Sequence, residues 1–236
     1  MQLAHAHRWD VSVPEAIAIQ RDLRRWVVME NRLGEVKTIA GVDVSAQEDT
    51  SRAAVVVLSY PDLLPLDSSV AALPLQFPYV PGLLSFREVP AILAAFDKLF
   101  RLPDLIIIDG QGVAHPRRIG IATHLGVLLD HPTIGCAKSR LCGEYKEPDA
   151  EAGSYTYLYD QGEVIGAVVR TKANVAPLFV SVGHRVDLAT AIAYVLRCCR
   201  KYRLPETTHW AHQVAGGMSF SPRDDKDREV QMRLPI

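Results

Sequence analysis

The stretch Asp104–Arg118, DLIIIDGQGVAHPRR, decides the fold because it places a carboxylate at the end of an entirely apolar strand. Residues 105–108, LIII, are apolar on both faces, as expected for a central strand in a sheet that is covered on both sides. Asp109 follows at the carboxyl end of this strand, where ligands bind in open α/β sheets. We therefore predict that Asp109 belongs to a functional site; the alternative is an aspartate that merely opens a turn.

Length and composition indicate one α/β domain of ordinary character. The 236 residues are 48% hydrophobic and 22% charged, with a formal net charge of −1, which argues against non-specific coating of nucleic acid. Because no apolar run could cross a membrane or serve as a signal peptide, we expect a cytoplasmic protein without membrane contact. We predict a single domain over residues 1–215 and a flexible tail over residues 216–236, which show little apolar periodicity.

Three strands are predicted before the opening stretch. Residues 38–46, TIAGVDVSA, alternate between two faces, and residues 52–60 and 67–77 continue as an antiparallel meander. Asp43 lies in the middle of the first of these strands, where a lone charge is costly to bury. Asp43 is therefore the second candidate site residue.

A proline-rich segment connects the meander to the next helix. Pro78 and Pro81 bracket Tyr79 and Val80, so we expect a stiff loop with an exposed apolar tip. Such a tip serves either as a packing corner or as a wedge between stacked bases. Glu88 is predicted to open the helix that follows, where the helix dipole alone would explain a glutamate.

The remaining chain continues with alternating helices and strands. The predicted elements are a helix over 117–129, a strand over 133–137 ending at Lys138, a hairpin of 154–159 and 164–172, a strand over 178–182, a long helix from 187 and a last helix over 205–214. This order predicts an α/β ribonuclease-H-like mixed sheet, in which three antiparallel strands are followed by parallel strands, flanked by helices, with an extra hairpin.

In this fold the separated acids become a candidate site for a hard cation. Asp43, Asp109 and Glu88 supply the oxygen ligands that Mg²⁺ prefers, as phosphodiester hydrolysis requires. Lys138 ends its strand on the same rim as Asp109, where an ammonium would balance the charge of a phosphate.

Five blocks of sequence resemble the endonuclease V family. The blocks are GVDVS (41–45), PYVPGLLSFRE (78–88), DGQG followed by HPRRIG (109–120), AKSRLCG (137–143) and SVGHRVDL (181–188). The resemblance implies a DNA-repair endonuclease that recognises deoxyinosine, the product of adenine deamination, and hydrolyses the second phosphodiester bond 3′ to it, leaving a 3′-hydroxyl and a 5′-phosphate. It further implies Mg²⁺ as cofactor, with Mn²⁺ as a substitute, and no obligate protein partner.

The resemblance also implies a role for each matching residue. The metal-binding acids are Asp43, Glu88 and Asp109, and the other catalytic residues are Lys138 and His212, with His209 as a competing position. The wedge is Pro78, Tyr79, Val80 and Pro81, and the base pocket is Gly82, Leu84, Gly110, Gly120 and Ile121. Contacts to the DNA backbone are expected from His115, Arg117 and Arg118, with a purely structural role as the alternative for His115.

Other functions stay open at this point. An inosine-specific endoribonuclease, a ribonuclease-H-like nuclease of other specificity and a non-catalytic module that binds damaged strands are the alternatives. The three acids argue against the last of these. A metabolic enzyme is disfavoured because no G-x-G-x-x-G fingerprint follows the first strand.

Overall fold

A computed structural model describes residues 2–47 and 49–220. Within these residues one eight-stranded sheet has the strand order β3-β2-β1-β4-β5-β8-β7-β6. Its strands are β1 (Thr38–Gln47), β2 (Thr50–Ser59), β3 (Pro65–Pro74), β4 (Leu105–Ile108), β5 (Thr133–Ala137), β6 (Tyr155–Asp160), β7 (Glu163–Val169) and β8 (Leu178–His184). The predicted hairpin, β6–β7, extends this same sheet.

Helices cover both faces of the sheet. Within the described part of the chain the α-helices are α1 (Val13–Leu23), α2 (Leu84–Phe96), α3 (Ile121–Leu129), α4 (Leu188–Cys198) and α5 (Glu206–Ala215). Alternate residues of β1 enter different cores: Ile39 packs in one cluster, whereas Ala40 and Val42 pack in the other. The expected ribonuclease-H-like mixed α/β architecture is therefore confirmed.

The strand pairing explains why functional side chains meet at one edge. β1 runs antiparallel to β2 and parallel to β4, with Val42 opposite Ile108, and the Asp109 amide donates to the Val42 carbonyl at 3.0 Å. β5 runs parallel to β4, so both strands end on the same rim. Asp43 and Asp109, one residue beyond the paired positions, are thereby brought side by side.

Helix α2 begins one turn earlier than predicted. It starts at Leu84 rather than at Glu88, because Leu83 and Phe86 are buried in an apolar cluster with α1 that the local pattern does not reveal. Glu88 consequently lies in the second turn, and Phe100, beyond the end of this helix, is almost fully exposed. Because the helix dipole acts mainly on the first turn, it does not explain the position of Glu88.

The last described residues pack against the fold. Phe220 contacts Trp210 with a ring separation of 5.4 Å and lies against the core. The rest of the predicted tail, residues 221–236, lies outside the described residues. Across residues 2–47 and 49–220, no helix combines the length and hydropathy that a membrane span requires.

Candidate active site

Two carboxylates form the centre of the site, each with a cationic or ionisable partner. Lys138 Nζ lies 2.5 Å from Asp109 Oδ2, and His212 Nδ1 lies 2.9 Å from Asp43 Oδ2. Because a carboxylate only accepts, the His212 ring donates from Nδ1. The predicted neighbourhood of Asp109 and Lys138 on one rim is thus observed.

Close packing of α5 on β1 brings His212 to Asp43. A Cβ atom on Gly41 would lie 2.0 Å from the Thr207 carbonyl oxygen, so only glycine permits this approach. His209, the competing histidine, instead stacks on Tyr202 with ring centroids 3.7 Å apart. The geometry therefore favours His212 over His209 as the histidine of this site.

Burial and neighbouring carboxylates raise the pKa values of Glu88 and Asp109. Burial, reinforced by the charges of Asp43 and Asp109, raises the pKa of Glu88 to about 8. Burial also raises the pKa of Asp109 to about 6; Lys138 opposes this shift and Asp43 adds to it. Three acids that repel one another in a poorly solvated place are stabilised by a cation.

The chemistry of this set fits a hard divalent ion. All three acids offer oxygen ligands and no sulfur, as Mg²⁺ prefers. Within residues 2–47 and 49–220, however, no group of three or more acidic, histidine or cysteine side chains is already closed around one point. One oxygen of Asp43 lies against His212 and one oxygen of Asp109 lies against Lys138.

A cavity of about 380 Å³ opens beside Asp109 and Lys138. It contains every residue predicted for the base pocket, together with most of the predicted wedge: Tyr79, Val80, Pro81, Gly82, Leu84, Gly110, Gly120 and Ile121. A second cavity of about 550 Å³ is lined by Asp43, Lys138 and His212. Lys138 lines both cavities. The acidic site therefore lies between the first cavity, which is mostly apolar, and the second cavity, which is polar.

Three side chains converge on the carbonyl oxygen of Gly82. Gln20 Nε2 donates to it at 3.0 Å, His115 Nε2 at 2.9 Å and Arg117 Nη2 at 2.6 Å. Arg117 Nε also donates to Gln20 Oε1 at 2.5 Å. Gly82 has φ +79°, and an added Cβ would lie 2.8 Å from Arg117 Nη2, so glycine is required here. We call this set, Gln20, His115 and Arg117 on Gly82, the Gly82 clamp.

The clamp changes the interpretation of the expected DNA-backbone residues. His115 is buried, its Nδ1 accepts from the Arg117 amide at 3.1 Å, and burial lowers its pKa to about 4. A neutral ring with both nitrogens engaged has no donor left for a phosphate, which favours the structural alternative for His115. Its contact with the DNA backbone stays a prediction. Arg118 forms an ion pair with Asp160 at 2.8 Å. Arg117 is held by its hydrogen bonds within the Gly82 clamp.

The proline-bracketed loop presents one aromatic side chain to solvent. Tyr79 is 72% exposed, whereas Val80 packs in the cluster formed by Ala16, Leu83 and their neighbours. The expected apolar tip is therefore Tyr79 alone, and Val80 anchors the loop.

Sequence reasoning missed several polar residues near the cavity. Gln20 is 1% exposed and comes from α1, and its amphipathic pattern gives no sign of a contact with Gly82. Gln111 Nε2 donates to the Ser139 carbonyl at 2.8 Å, while its Oε1 is buried without a hydrogen-bond partner among the described residues. Ser85 lies within the block 78–88 but carries no signal of its own.

We expect Gln20→Met to lower the free energy of unfolding by about 1–3 kcal/mol, because Arg117 Nε loses its buried acceptor and Gly82 loses a donor. Denaturant unfolding measures this change. Gln76→Met, on an exposed glutamine, is the matched control. Equal unfolding midpoints for the two variants would show that the clamp contributes nothing to stability.

Several known proteins that are similar to this chain are described as endonuclease V. The family model for endonuclease V matches residues 21–213. An endonuclease V of Trichormus variabilis is 53% identical over 218 residues, which cover 91% of this chain and 99% of the relative. The crystal structure of an endonuclease V from Streptomyces avermitilis is 42% identical with a TM-score of 0.84, covering 94% of this chain and 96% of that one. An endonuclease V of Ciona intestinalis, in complex with a 24mer DNA containing an inosine followed by a ribo-adenosine, is 27% identical with a TM-score of 0.75, covering 93% of this chain and 98% of that one.

Proposed function

Because this chain belongs to the endonuclease V family, we propose that it recognises deoxyinosine in DNA and hydrolyses the second phosphodiester bond 3′ to that base, with Mg²⁺ as cofactor. Mn²⁺ is expected to substitute. The products are a 3′-hydroxyl and a 5′-phosphate, and the damaged base stays attached to the strand. A cytoplasmic location and the absence of an obligate protein partner stay predictions.

One observation carries this proposal: the cavity that can receive a base shares Asp109 and Lys138 with the acidic site. A base rotated out of the stack into this cavity would therefore draw its own strand across the carboxylates. Because the cavity and the acidic site share these two residues, the cut is expected at a fixed distance from the damaged base. The inosine-containing DNA bound by the Ciona intestinalis relative supports the same class of substrate.

The acidic residues would hold the ion and the strand in register. Asp43 and Asp109 would bind Mg²⁺ directly, with Glu88 as the third acid. The bound ion would polarise the scissile phosphate and lower the pKa of the attacking water. Each carboxylate keeps a contact with a neighbour, Asp43 with His212 and Asp109 with Lys138, and these contacts orient the acids before substrate binds.

Lys138 and His212 would act on the phosphate and the water. The Lys138 ammonium lies between the two cavities, where it would stabilise the negative charge that develops as water attacks phosphorus. Since His212 donates from Nδ1 to Asp43, its Nε2 can accept a proton from that water. The P–O3′ bond then breaks, and the 3′ oxygen leaves as a hydroxyl after protonation.

Tyr79 would fill the gap that the rotated base leaves. Tyr79 is the exposed side chain of a loop that the Gly82 clamp and Val80 hold in place. The loss of conformational entropy when this loop binds DNA is therefore small.

We expect Tyr79→Ala to weaken binding of an inosine-containing duplex by roughly 5- to 150-fold, the range that corresponds to loss of one base–aromatic stack. Binding of a single strand with the same inosine should change less, because no stack has to be filled. Fluorescence anisotropy measures both, and Phe100→Ala, on an exposed aromatic outside the cavity, is the control. Unchanged duplex affinity would return the loop to a packing role.

An inosine-specific endoribonuclease is the second candidate, because in the Ciona intestinalis complex the inosine is followed by a ribo-adenosine. Labelled strands separate these functions: a duplex with one deoxyinosine, its undamaged twin and an inosine-containing RNA, each with Mg²⁺ or EDTA. We expect metal-dependent nicking of the inosine duplex and an intact twin. Cutting of the RNA alone would favour the second candidate, and equal cutting of the twin would exclude both.

A further inference from the structure

A chain of hydrogen bonds leads from the N-terminal segment to the wall of the base-sized cavity. His7 Nδ1 lies 2.8 Å from the Arg8 carbonyl oxygen, and His7 Nε2 lies 2.7 Å from His124 Nε2. His124 Nδ1 in turn lies 2.8 Å from Ser85 Oγ, and Ser85 lines the cavity. None of these side chains has a place in the mechanism above. We call His7, His124 and Ser85 the histidine relay.

Only one arrangement of protons satisfies the relay when both rings are neutral. The Arg8 carbonyl can only accept, so His7 carries its proton on Nδ1 and accepts at Nε2. His124 must then donate from Nε2 and accept at Nδ1, which leaves the Ser85 hydroxyl to donate to His124.

The surroundings keep both rings neutral. Burial lowers the pKa of His7, although its bond to Arg8 opposes the shift. The pKa of the fully buried His124 lies well below its ordinary value because of burial, with further lowering by His7 and His115. Aromatic rings surround the pair: Trp9 stacks against His124 at 5.6 Å between ring centroids, and Phe86 contacts both histidines.

We propose that His7 and His124 fix the Ser85 hydroxyl as a hydrogen-bond acceptor in the cavity, where it accepts from the N1–H of a 6-oxopurine and disfavours adenine. The inference rests on the proposed function and names a specificity-determining residue within it. Ser85 contacts the base, whereas His7 and His124 are positioning residues that act through Ser85.

The chemistry of the bases makes the consequence specific. Hypoxanthine carries a proton on N1, whereas adenine has a lone pair there that would face the lone pair of the Ser85 oxygen. A polar site whose partner is missing or mismatched rejects a substrate strongly. Guanine also carries N1–H, so Ser85 would separate 6-oxopurines from adenine but not hypoxanthine from guanine.

Gln111 is the competing acceptor. Its Oε1 is buried without a hydrogen-bond partner among the described residues, and it lines the same cavity. Unlike the Ser85 hydroxyl, it is oriented only by the bond from its own Nε2 to Ser139. The experiment must therefore separate Ser85 from Gln111.

The test measures single-turnover cleavage of strands that carry one hypoxanthine, unsubstituted purine or guanine at the same position. Purine has the N1 lone pair of adenine without its amino group. We expect Ser85→Ala to lower the hypoxanthine-to-purine ratio of kcat/KM about tenfold and to leave the hypoxanthine-to-guanine ratio unchanged. Ser85→Thr, which keeps the hydroxyl, should retain the wild-type ratio.

The positioning residues have a separate prediction. In His7→Phe the Nε2–H of His124 loses its acceptor. His124 can then hold its proton on Nδ1 and donate it to the Ser85 oxygen. The Ser85 hydroxyl would in turn donate into the cavity instead of accepting there. The hypoxanthine-to-purine ratio should fall, mainly because cleavage at purine rises. Thermal unfolding verifies that each variant is folded, and His7→Phe, at the half-exposed end of the relay, serves if Ser85→Ala fails to fold.

Each outcome decides between the two proposals. Wild-type protein that does not prefer hypoxanthine to adenine would contradict the proposed function itself. Wild-type preference that survives unchanged in both Ser85→Ala and His7→Phe would overturn the relay alone. If the hypoxanthine-to-purine ratio is lost in Gln111→Met but kept in Ser85→Ala, the N1–H contact belongs to Gln111. That result would also overturn the role of the histidine relay.

Discussion

Asp109→Asn is expected to reduce inosine-directed cleavage by at least about 10³-fold while the variant still binds the inosine strand. The substitution keeps the shape of the side chain but removes the charge that would hold Mg²⁺ and that pairs with Lys138 at 2.5 Å. A bound ion supplies several kcal/mol of charge stabilisation in the transition state, which corresponds to about this factor in rate. Single-turnover rates and equilibrium binding, measured on the same inosine duplex, separate the two effects.

Asp22→Asn is the matched control, because Asp22 is an exposed carboxylate on α1. It should retain wild-type cleavage and binding. Asp109→Asn protein that turns over at the control rate would remove Asp109 from the metal site. Loss of binding together with cleavage would instead show that Asp109 acts mainly on the base in the cavity.

Lys138→Met is expected to reduce the single-turnover rate about 10²- to 10³-fold, the usual effect of removing one preorganised group that stabilises transition-state charge. Lys138 lies against Asp109 and lines both cavities, so its ammonium would face a phosphate that crosses the site. Methionine keeps most of the length of the side chain, so the loss reports on charge.

Lys98→Met controls for removal of a lysine elsewhere, because Lys98 is exposed and contacts the Val70 carbonyl at the far end of α2. Raising the Mg²⁺ concentration should not restore the Lys138 variant, since the ammonium and the ion act on different charges. Full recovery at high Mg²⁺ would mean that Lys138 only orients Asp109.

The side chains of Asp109 and Lys138 at the rim of the sheet could be predicted from sequence, because each directly follows a recognisable apolar strand. An apolar strand followed by Asp109, and another strand followed by Lys138, fix where each side chain lies once the strands run parallel. Asp43 was found in the same way, as a charge within an otherwise apolar alternating strand. Resemblance to the family then added His212, whose local pattern is uninformative, and assigned the proline-bracketed Tyr79 to the wedge rather than to a packing corner.

The role of the basic cluster after Asp109 could not be predicted, because it depends on distant partners. Arg117 and Gln20 are 97 positions apart in sequence yet hydrogen-bonded, and His115 is buried by the same contacts. From sequence, two arginines beside a histidine resemble a phosphate-binding patch. In the structure His115 and Arg117 donate to Gly82 in the loop that carries Tyr79, whereas Arg118 forms an ion pair with Asp160. The early start of α2 has a similar cause, since burial of Leu83 and Phe86 outweighs the local preference.

We propose that the cavity receives the base and that it is joined to the acidic site at Asp109 and Lys138. Mapping the nick on a set of duplexes in which a single deoxyinosine is moved along one strand tests it most directly. We predict that the nick moves with the inosine, always at the second phosphodiester bond 3′ to it, and that EDTA abolishes it. Nicks that stay at fixed positions, or that vary in distance from the inosine, would show that base recognition and cleavage are not joined in this way.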